Sequence, residues 1–365
     1  MSRLVVRHLR RRLEARSEQD GYILVLTIGV MLITFMIVSP GRTRYGTKSP
    51  GMRMRQRSMR AIVVNGWGGP ETLVEREIDR PEPGLGEILV RVHAAGVNPV
   101  DWKTRASGAL IAWGEVPVVG WDVSGTVEAV GPGVTLYAPG DEVYGMPSFP
   151  RQAGGYAEYV VGPARHFARK PASLDHVRAA ALPLAALTAW QALVDSAGVT
   201  AGQRVLVHAA AGGVGHLAVQ IAKARGAYVI GTASEAKHGL LRELGADELI
   251  DYRTGDFAEA VSGVDVVLDA LGGEVAERSL KVLKPGGHLI SLPGPDSVPA
   301  GADGVHASWV LVEPDLKGLE EIAALADRGL LKPLVDTVLP LADAAKAHEI
   351  GERGRTTGKI VLTVV

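Results

Sequence analysis

The stretch His208-Ala-Ala-Ala-Gly-Gly-Val-Gly215 decides how this chain is read. It follows an apolar run, Arg204–Ala209, that has the composition of a strand. It leads into Val214–Arg225, where Leu217, Ala218, Ile221 and Ala222 recur on one face at helical spacing. A strand, a glycine turn and a helix in that order aim backbone N–H groups and the positive end of the helix dipole at an anion. Glycines let a pyrophosphate come close to the backbone. Against G-x-G-x-x-G, Ala210 takes the place of the first glycine, while Gly212 and Gly215 match. The flanking strand and helix favour dinucleotide binding, through Ala211, Gly212, Gly213, Val214 and Gly215, over a plain turn.

Outward from this loop the pattern alternates. Strands are predicted at Tyr228–Thr232, Glu248–Asp251, Val264–Leu271 and His288–Leu292, and helices at Ala236–Leu244 and Val275–Leu283. Such alternation means an α/β, doubly wound parallel sheet, which binds ligands at the carboxyl ends of its strands. The second strand ends Gly231-Thr-Ala-Ser234. Ala233 stands where NAD-binding folds place the ribose-holding acid, with Ser234 beside it and Lys237 three residues on. Loss of the acid removes repulsion against a 2′-phosphate, and Lys237 offers it a partner, which favours NADP(H). The plainer alternative is a solvated Lys237, with Glu235 on the ribose.

Upstream the texture is different. Ala61–Val64, Glu87–His93, Ser124–Val130, Glu142–Tyr144 and Ala157–Val161 are short β-branched runs between Gly/Pro turns, which predicts a small barrel or sandwich. Arg178–Ala197, Leu316–Ala326 and Ala342–Glu352 read as helices, and Lys359–Val365 as a closing strand.

The chain has 365 residues and a net charge of −1, which argues against a nucleic-acid partner. It has no cysteine, so it has no disulfide, thiolate metal ligand or cysteine nucleophile. Residues 1–58 carry eleven arginines and one lysine against three acids, unlike the acidic body that follows. Within them Tyr22–Val38 is a 17-residue run without charge, just long enough to cross a bilayer. Three readings stand: an over-extended start before Met59, a membrane anchor at 22–38, and a cleaved export signal. The first makes the protein cytoplasmic, and the second gives it membrane contact.

Four stretches carry a resemblance: Ala94-Ala-Gly-Val-Asn-Pro-Val-Asp-Trp-Lys103, Gly120-Trp-Asp-Val-Ser-Gly-Thr-Val127, Ala209–Ala224 and Leu244-Gly-Ala-Asp247, together with Leu187-Thr-Ala-Trp-Gln191. From Met59 onward the chain resembles the zinc-independent quinone oxidoreductases and enone reductases of the medium-chain dehydrogenase/reductase superfamily. The resemblance implies a GroES-like catalytic domain from 59–180 and 309–365, with a Rossmann NADP-binding domain at 181–308 between its parts. It implies reduction of quinones or α,β-unsaturated carbonyls by hydride transfer without a metal, and a homodimer or homotetramer. The related zinc enzymes use cysteine ligands. A site from Asp101, Asp122 and His93 is the residual alternative.

In such a reductase a donor must stabilise charge on the acceptor oxygen. The candidates are Lys103, to polarise the carbonyl, and Asn98, to place nicotinamide or substrate. The plainer readings are an exposed helix charge and a turn. By resemblance, Thr188 contacts the carboxamide, Tyr252 the adenosine phosphate, and Lys359 the cofactor cleft. Leu271 and Leu292, the last residues of two strands, join the cofactor set. Trp102, Trp113 and Met146 are placed on the substrate pocket wall, or else in the core. An enoyl-thioester reductase and a non-catalytic, crystallin-like NADPH-binding protein remain the competing functions.

Overall fold

The computed structural model describes residues 58–109, 116–300 and 304–364. The extension before Ser58, including 22–38, and Trp113 lie outside the described residues.

The first part of the chain is strand-rich. β1 (Ser58–Val64) and β2 (Leu73–Asp79) form an antiparallel ribbon. β3 (Glu87–Val97) is followed by the helix α1 (Pro99–Ser107), then by β4 (Asp122–Val130), β5 (Glu142–Gly145), β6 (Tyr159–Pro163) and β7 (Phe167–Arg169). α1 starts after Asn98 because Pro99 suits a first helical position and Asp101 closes a capping box on the Asn98 N–H. It ends at Gly108, in the left-handed conformation.

The helix read at 178–197 is divided. α2 (His176–Ala180) ends before Pro183, which begins α3 (Pro183–Trp190), and Gln191–Ser196 continues as a π-helical turn. Proline lacks the N–H a continuous helix needs and suits a first turn.

The alternating region follows the sequence reading closely. β8 (Arg204–Val207), α4 (Gly215–Ala224), β9 (Tyr228–Thr232), α5 (His238–Glu243), β10 (Glu248–Ile250), α6 (Phe257–Ala260), β11 (Val264–Asp269), α7 (Glu274–Ser279), β12 (Leu283–Ser291) and β13 (His306–Trp309) succeed one another. The sheet order is β10-β9-β8-β11-β12-β13, every pair parallel. This is the doubly wound order 3-2-1-4-5-6, with its switch point between β8 and β11. Here α7 is shorter than its reading: Leu283 already belongs to β12, whose Lys284-Pro-Gly-Gly287 cannot sustain a helix.

After α8 (Leu316–Asp327) come β14 (Val335–Pro340), α9 (Ala344–Glu352) and β15 (Lys359–Thr363). These strands rejoin the first part in a sheet of order β14-β15-β3-β4-β5-β7, with β6 also paired to β3. The chain therefore forms a GroES-like β lobe, closed by its own C-terminal strands, around a Rossmann sheet. Separate apolar clusters centre on the two lobes. β3 is the element that matters for the site. Its Val97 lies opposite Ile360 of β15, and its Gly96 opposite Asp122 of β4. The register thus brings Lys359 and Asp122 to either side of Asn98.

Candidate functional site

The glycine turn is built for close approach. A Cβ on Gly215 would lie 2.3 Å from the Ala209 carbonyl oxygen and 2.8 Å from the Ala210 Cα. Ala209 itself has φ +49°, a left-handed turn residue without being glycine. Buried His216, in the first turn of α4, donates from Nδ1 to the Gly212 carbonyl (2.8 Å) and accepts at Nε2 from the Leu334 N–H (3.0 Å). Those bonds fix its neutral tautomer, and burial lowers its pKa to about 4.

Two cavities adjoin this turn. One, of about 750 Å³, is lined by Ala211, Gly212, Ser234, Lys237, Tyr252 and Leu271. The other, of about 350 Å³, is lined by Asn98, Trp102, Gly213, Val214, Gly215 and Lys359. Together they have the shape and glycine backbone that a dinucleotide needs. Ser234 is buried at the end of β9 and Lys237 is half-buried, while Glu235 is exposed and off both linings.

Other residues fall elsewhere. Thr188 is buried and its hydroxyl donates to the Leu184 carbonyl (2.7 Å). Leu292 packs half-buried on the core and lines neither cavity. Met146, directly after β5, is fully buried in the core with Trp121 and Tyr144 and lines neither cavity. Lys103 stands on the exposed side of α1 and lines neither cavity.

The polar centre of the smaller cavity is Asn98. Its Nδ2 donates to Asp122 Oδ2 (2.9 Å), and its Oδ1 accepts from Lys359 Nζ. Lys359 also donates to the Val97 carbonyl (3.0 Å) and lies 3.7 Å from Asp122 Oδ2. Asp122 Oδ1 accepts from the Leu184 N–H at the start of α3 (2.8 Å). Burial raises the Asp122 pKa and lowers that of Lys359, against the attraction each offers the other. The carboxamide is thus held at both ends, with one amide hydrogen uncommitted by these bonds.

Sequence reasoning missed what lies behind it. Asp101 Oδ2 accepts from the Asn98 N–H (2.7 Å) and from the Tyr156 hydroxyl (3.0 Å). Tyr156 meets His348 Nε2 at 3.2 Å, and Arg105 donates to His348 Nδ1 (3.3 Å) and to Glu352 Oε1 (2.5 Å). Because Arg105 can only donate, His348 carries its proton on Nε2 and gives it to Tyr156. Burial raises Asp101 to about 7 and lowers His348 to about 3. The local signal was the Asn98/Asp101 spacing of a capping box. Tyr156 comes from the segment before β6 and His348 from α9, both far away in sequence. His93 does not join Asp101 and Asp122: its ring stacks on His176 at 4.2 Å and meets Thr126 at 3.1 Å. Among the described residues no group of three or more His, Asp or Glu is placed to hold a metal ion.

Residues 84–172 match the family model of the alcohol dehydrogenase GroES-like domain, and residues 244–362 that of zinc-binding dehydrogenases. The rat quinone oxidoreductase is 35% identical over 85% of this chain and 99% of its own length. The solved quinone oxidoreductase of Coxiella burnetii is 35% identical, with a TM-score of 0.78 over 85% of this chain and 100% of that one. The solved mycobacterial Rv1454c complexed with NADPH is 32% identical, with a TM-score of 0.74 over 84% of this chain and 100% of that one.

Proposed function

The chain belongs to the medium-chain dehydrogenase/reductase superfamily as a quinone oxidoreductase-like oxidoreductase, and from that premise we propose that it reduces quinones or α,β-unsaturated carbonyls with NADPH. The observation that carries this reading is the Asn98 carboxamide. It lines the cleft beside the glycine turn, and Lys359 and Asp122 fix its plane. Its remaining amide hydrogen is a preorganised donor for the acceptor oxygen, where negative charge gathers as the acceptor is reduced.

NADPH, when bound, supplies the hydride. The glycine turn from Ala211 to Gly215 holds its pyrophosphate, and Ser234 and Lys237 hold its 2′-phosphate. Tyr252 and Leu271 flank the adenosine end, and Lys359 acts through Asn98. The apolar Trp102 walls the acceptor side. Lys103 has no part in polarising the carbonyl and remains a surface charge.

The test is steady-state oxidation of NADPH and NADH by the full chain, with a simple quinone, a short-chain enone and an enoyl thioester as acceptors. Oxidation of NADPH well above NADH with quinone or enone supports the reading. A preference for the thioester makes the protein an enoyl reductase. Cofactor binding without turnover of any acceptor makes it a binding protein.

A further inference from the structure

The loop from Arg353 to Gly358 joins α9 to β15, and nothing above gives it a role. It belongs to the β lobe but lies against the Rossmann glycine turn. The Gly358 N–H donates to the Ala211 carbonyl (2.9 Å). A Cβ on Gly358 would lie 2.3 Å from the Leu334 carbonyl oxygen, so the loop leaves this point along one path only. At the other cavity Lys237 Nζ reaches the Arg355 carbonyl oxygen at 3.5 Å.

Thr356 lines both cavities, as Ala209, Gly212 and Gly354 do. Those residues mark the seam where the adenosine side meets the cleft of Asn98. Ala209 and Gly212 are part of the anion-binding turn, so Thr356 stands across the seam from it. Its Oγ1 is buried and has no hydrogen-bond partner among the described residues. A buried hydroxyl left unpaired is costly, and most such groups in folded proteins have a partner. Thr356 lines both cavities while its Oγ1 is buried as placed, so a change of χ1 between staggered rotamers is what brings the hydroxyl to a ligand. Arg353 and Arg355, both exposed, make the loop basic.

We infer that Thr356 is a pyrophosphate-binding residue, its hydroxyl donating to the bridging phosphates of the dinucleotide from the β lobe while the glycine turn holds them from the Rossmann lobe. This rests on the dinucleotide reading of the cleft, but not on the choice of NADPH over NADH or on the acceptor. Both dinucleotides carry the pyrophosphate, so Thr356 adds affinity without selectivity, whereas Lys237 adds selectivity.

The experiment compares Thr356→Val, Thr356→Ser and Lys237→Ala in the full chain by titrating NADPH, NADH and adenosine 2′-monophosphate, which carries neither bridging phosphate. Valine keeps the shape of threonine. Loss of a hydrogen bond to a charged group weakens binding about tenfold or more. Thr356→Val is expected to weaken NADPH and NADH alike by that factor, to leave the monophosphate unchanged, and to be restored by Thr356→Ser. Unchanged dinucleotide binding overturns the inference, as does a loss shared by the monophosphate or one confined to NADPH. Loss of NADPH preference in Lys237→Ala tests the cofactor choice separately. A wild-type protein that binds neither dinucleotide overturns both.

Discussion

Replacing Lys359 by methionine keeps the length of the side chain and removes its charge. Asp122 is fully buried, and Lys359 is the strongest of the influences that hold it ionised. Removing one partner of a buried ion pair costs ~3–5 kcal/mol. Asp122 retains bonds from Asn98 and the Leu184 N–H, so the lower end applies. At about 2–4 °C per kcal/mol, the melting temperature should fall by roughly 10 °C near pH 8. The pH dependence is the sharper part. Burial already holds the Asp122 pKa above its usual range, and without Lys359 it rises further. A carboxyl whose folded pKa exceeds its unfolded value favours the fold in its protonated form. That contribution is present at low pH and is lost as pH rises through the folded value. Asp101, raised to about 7 and also attracted by Lys359, moves in the same direction. The gap between Lys359→Met and wild type should therefore be small at pH 5 and widen to pH 8, and adding Asp122→Asn should close most of it. Thermal unfolding followed by circular dichroism at four pH values measures this. A gap that is the same at every pH, or one that Asp122→Asn does not close, would refute the reasoning.

Asn98→Ala should lower kcat about 10²–10³-fold, the usual cost of one charge-stabilising donor, with little change in the KM for NADPH, while Lys103→Ala leaves both constants as they are. Steady-state kinetics decide this, and a large kcat loss in Lys103→Ala would reverse the assignment. Gly215→Ala forces a methyl against the Ala209 carbonyl oxygen. Dinucleotide titration should show affinity reduced about tenfold or more, because overpacking of ~1–3 kcal/mol displaces the turn; wild-type affinity would mean the turn can yield. Three buried histidines set the acid limit: His208 and His216 are held at about 4 and His348 at about 3. Their folded values lie below the unfolded ~6.5, so their stability is present above that pH and lost as pH falls toward 4. Asp101 and Asp122, both raised by burial, oppose them, which leaves a net slope on the order of 1–3 kcal/mol per pH unit at its steepest. A melting temperature flat between pH 6.5 and 4.5 would contradict it.

The Rossmann half was legible because its signals are local. Strand, glycine turn and helix succeed one another within residues 204–225, and the connection rules then leave few strand orders, of which the structure has 3-2-1-4-5-6. The candidate site around Asn98 was legible only in part. Asn98 and Lys359 are 261 positions apart, and no spacing reveals that β15 lies on β3 in the register that joins them. Lys103 follows Trp102 on a helix, so it points about 100° away from it. α1 is short and mostly polar, and its sequence does not say which of the two faces the cleft. Met146 is a different case: it follows β5 directly, and an apolar residue after an apolar strand reads the same whether it is core or pocket wall; the structure buries it with Trp121 and Tyr144.

The bonds that cross from the β lobe to the neighbourhood of the glycine turn have a consequence for catalysis. Leu334 N–H to His216 and Gly358 N–H to Ala211 end within one residue of a cleft-lining group, and in the opposite direction Leu184 N–H ends on Asp122, which positions Asn98. The register of β3 with β4 and β15 fixes Asn98 in the apoprotein. A donor set by strand register needs no reorganisation when an acceptor arrives, which is where electrostatic stabilisation is worth most. The arrangement also separates two duties. The residues proposed to grip the dinucleotide lie on turns and loops, namely 209–215, 234–237 and 353–358. Asn98, the residue proposed to meet the acceptor, directly follows β3 and is tied to the sheet through Asp122 and Lys359. Substitutions in the loops should then appear chiefly in cofactor affinity, and substitutions at Asn98, Asp122 or Lys359 chiefly in kcat.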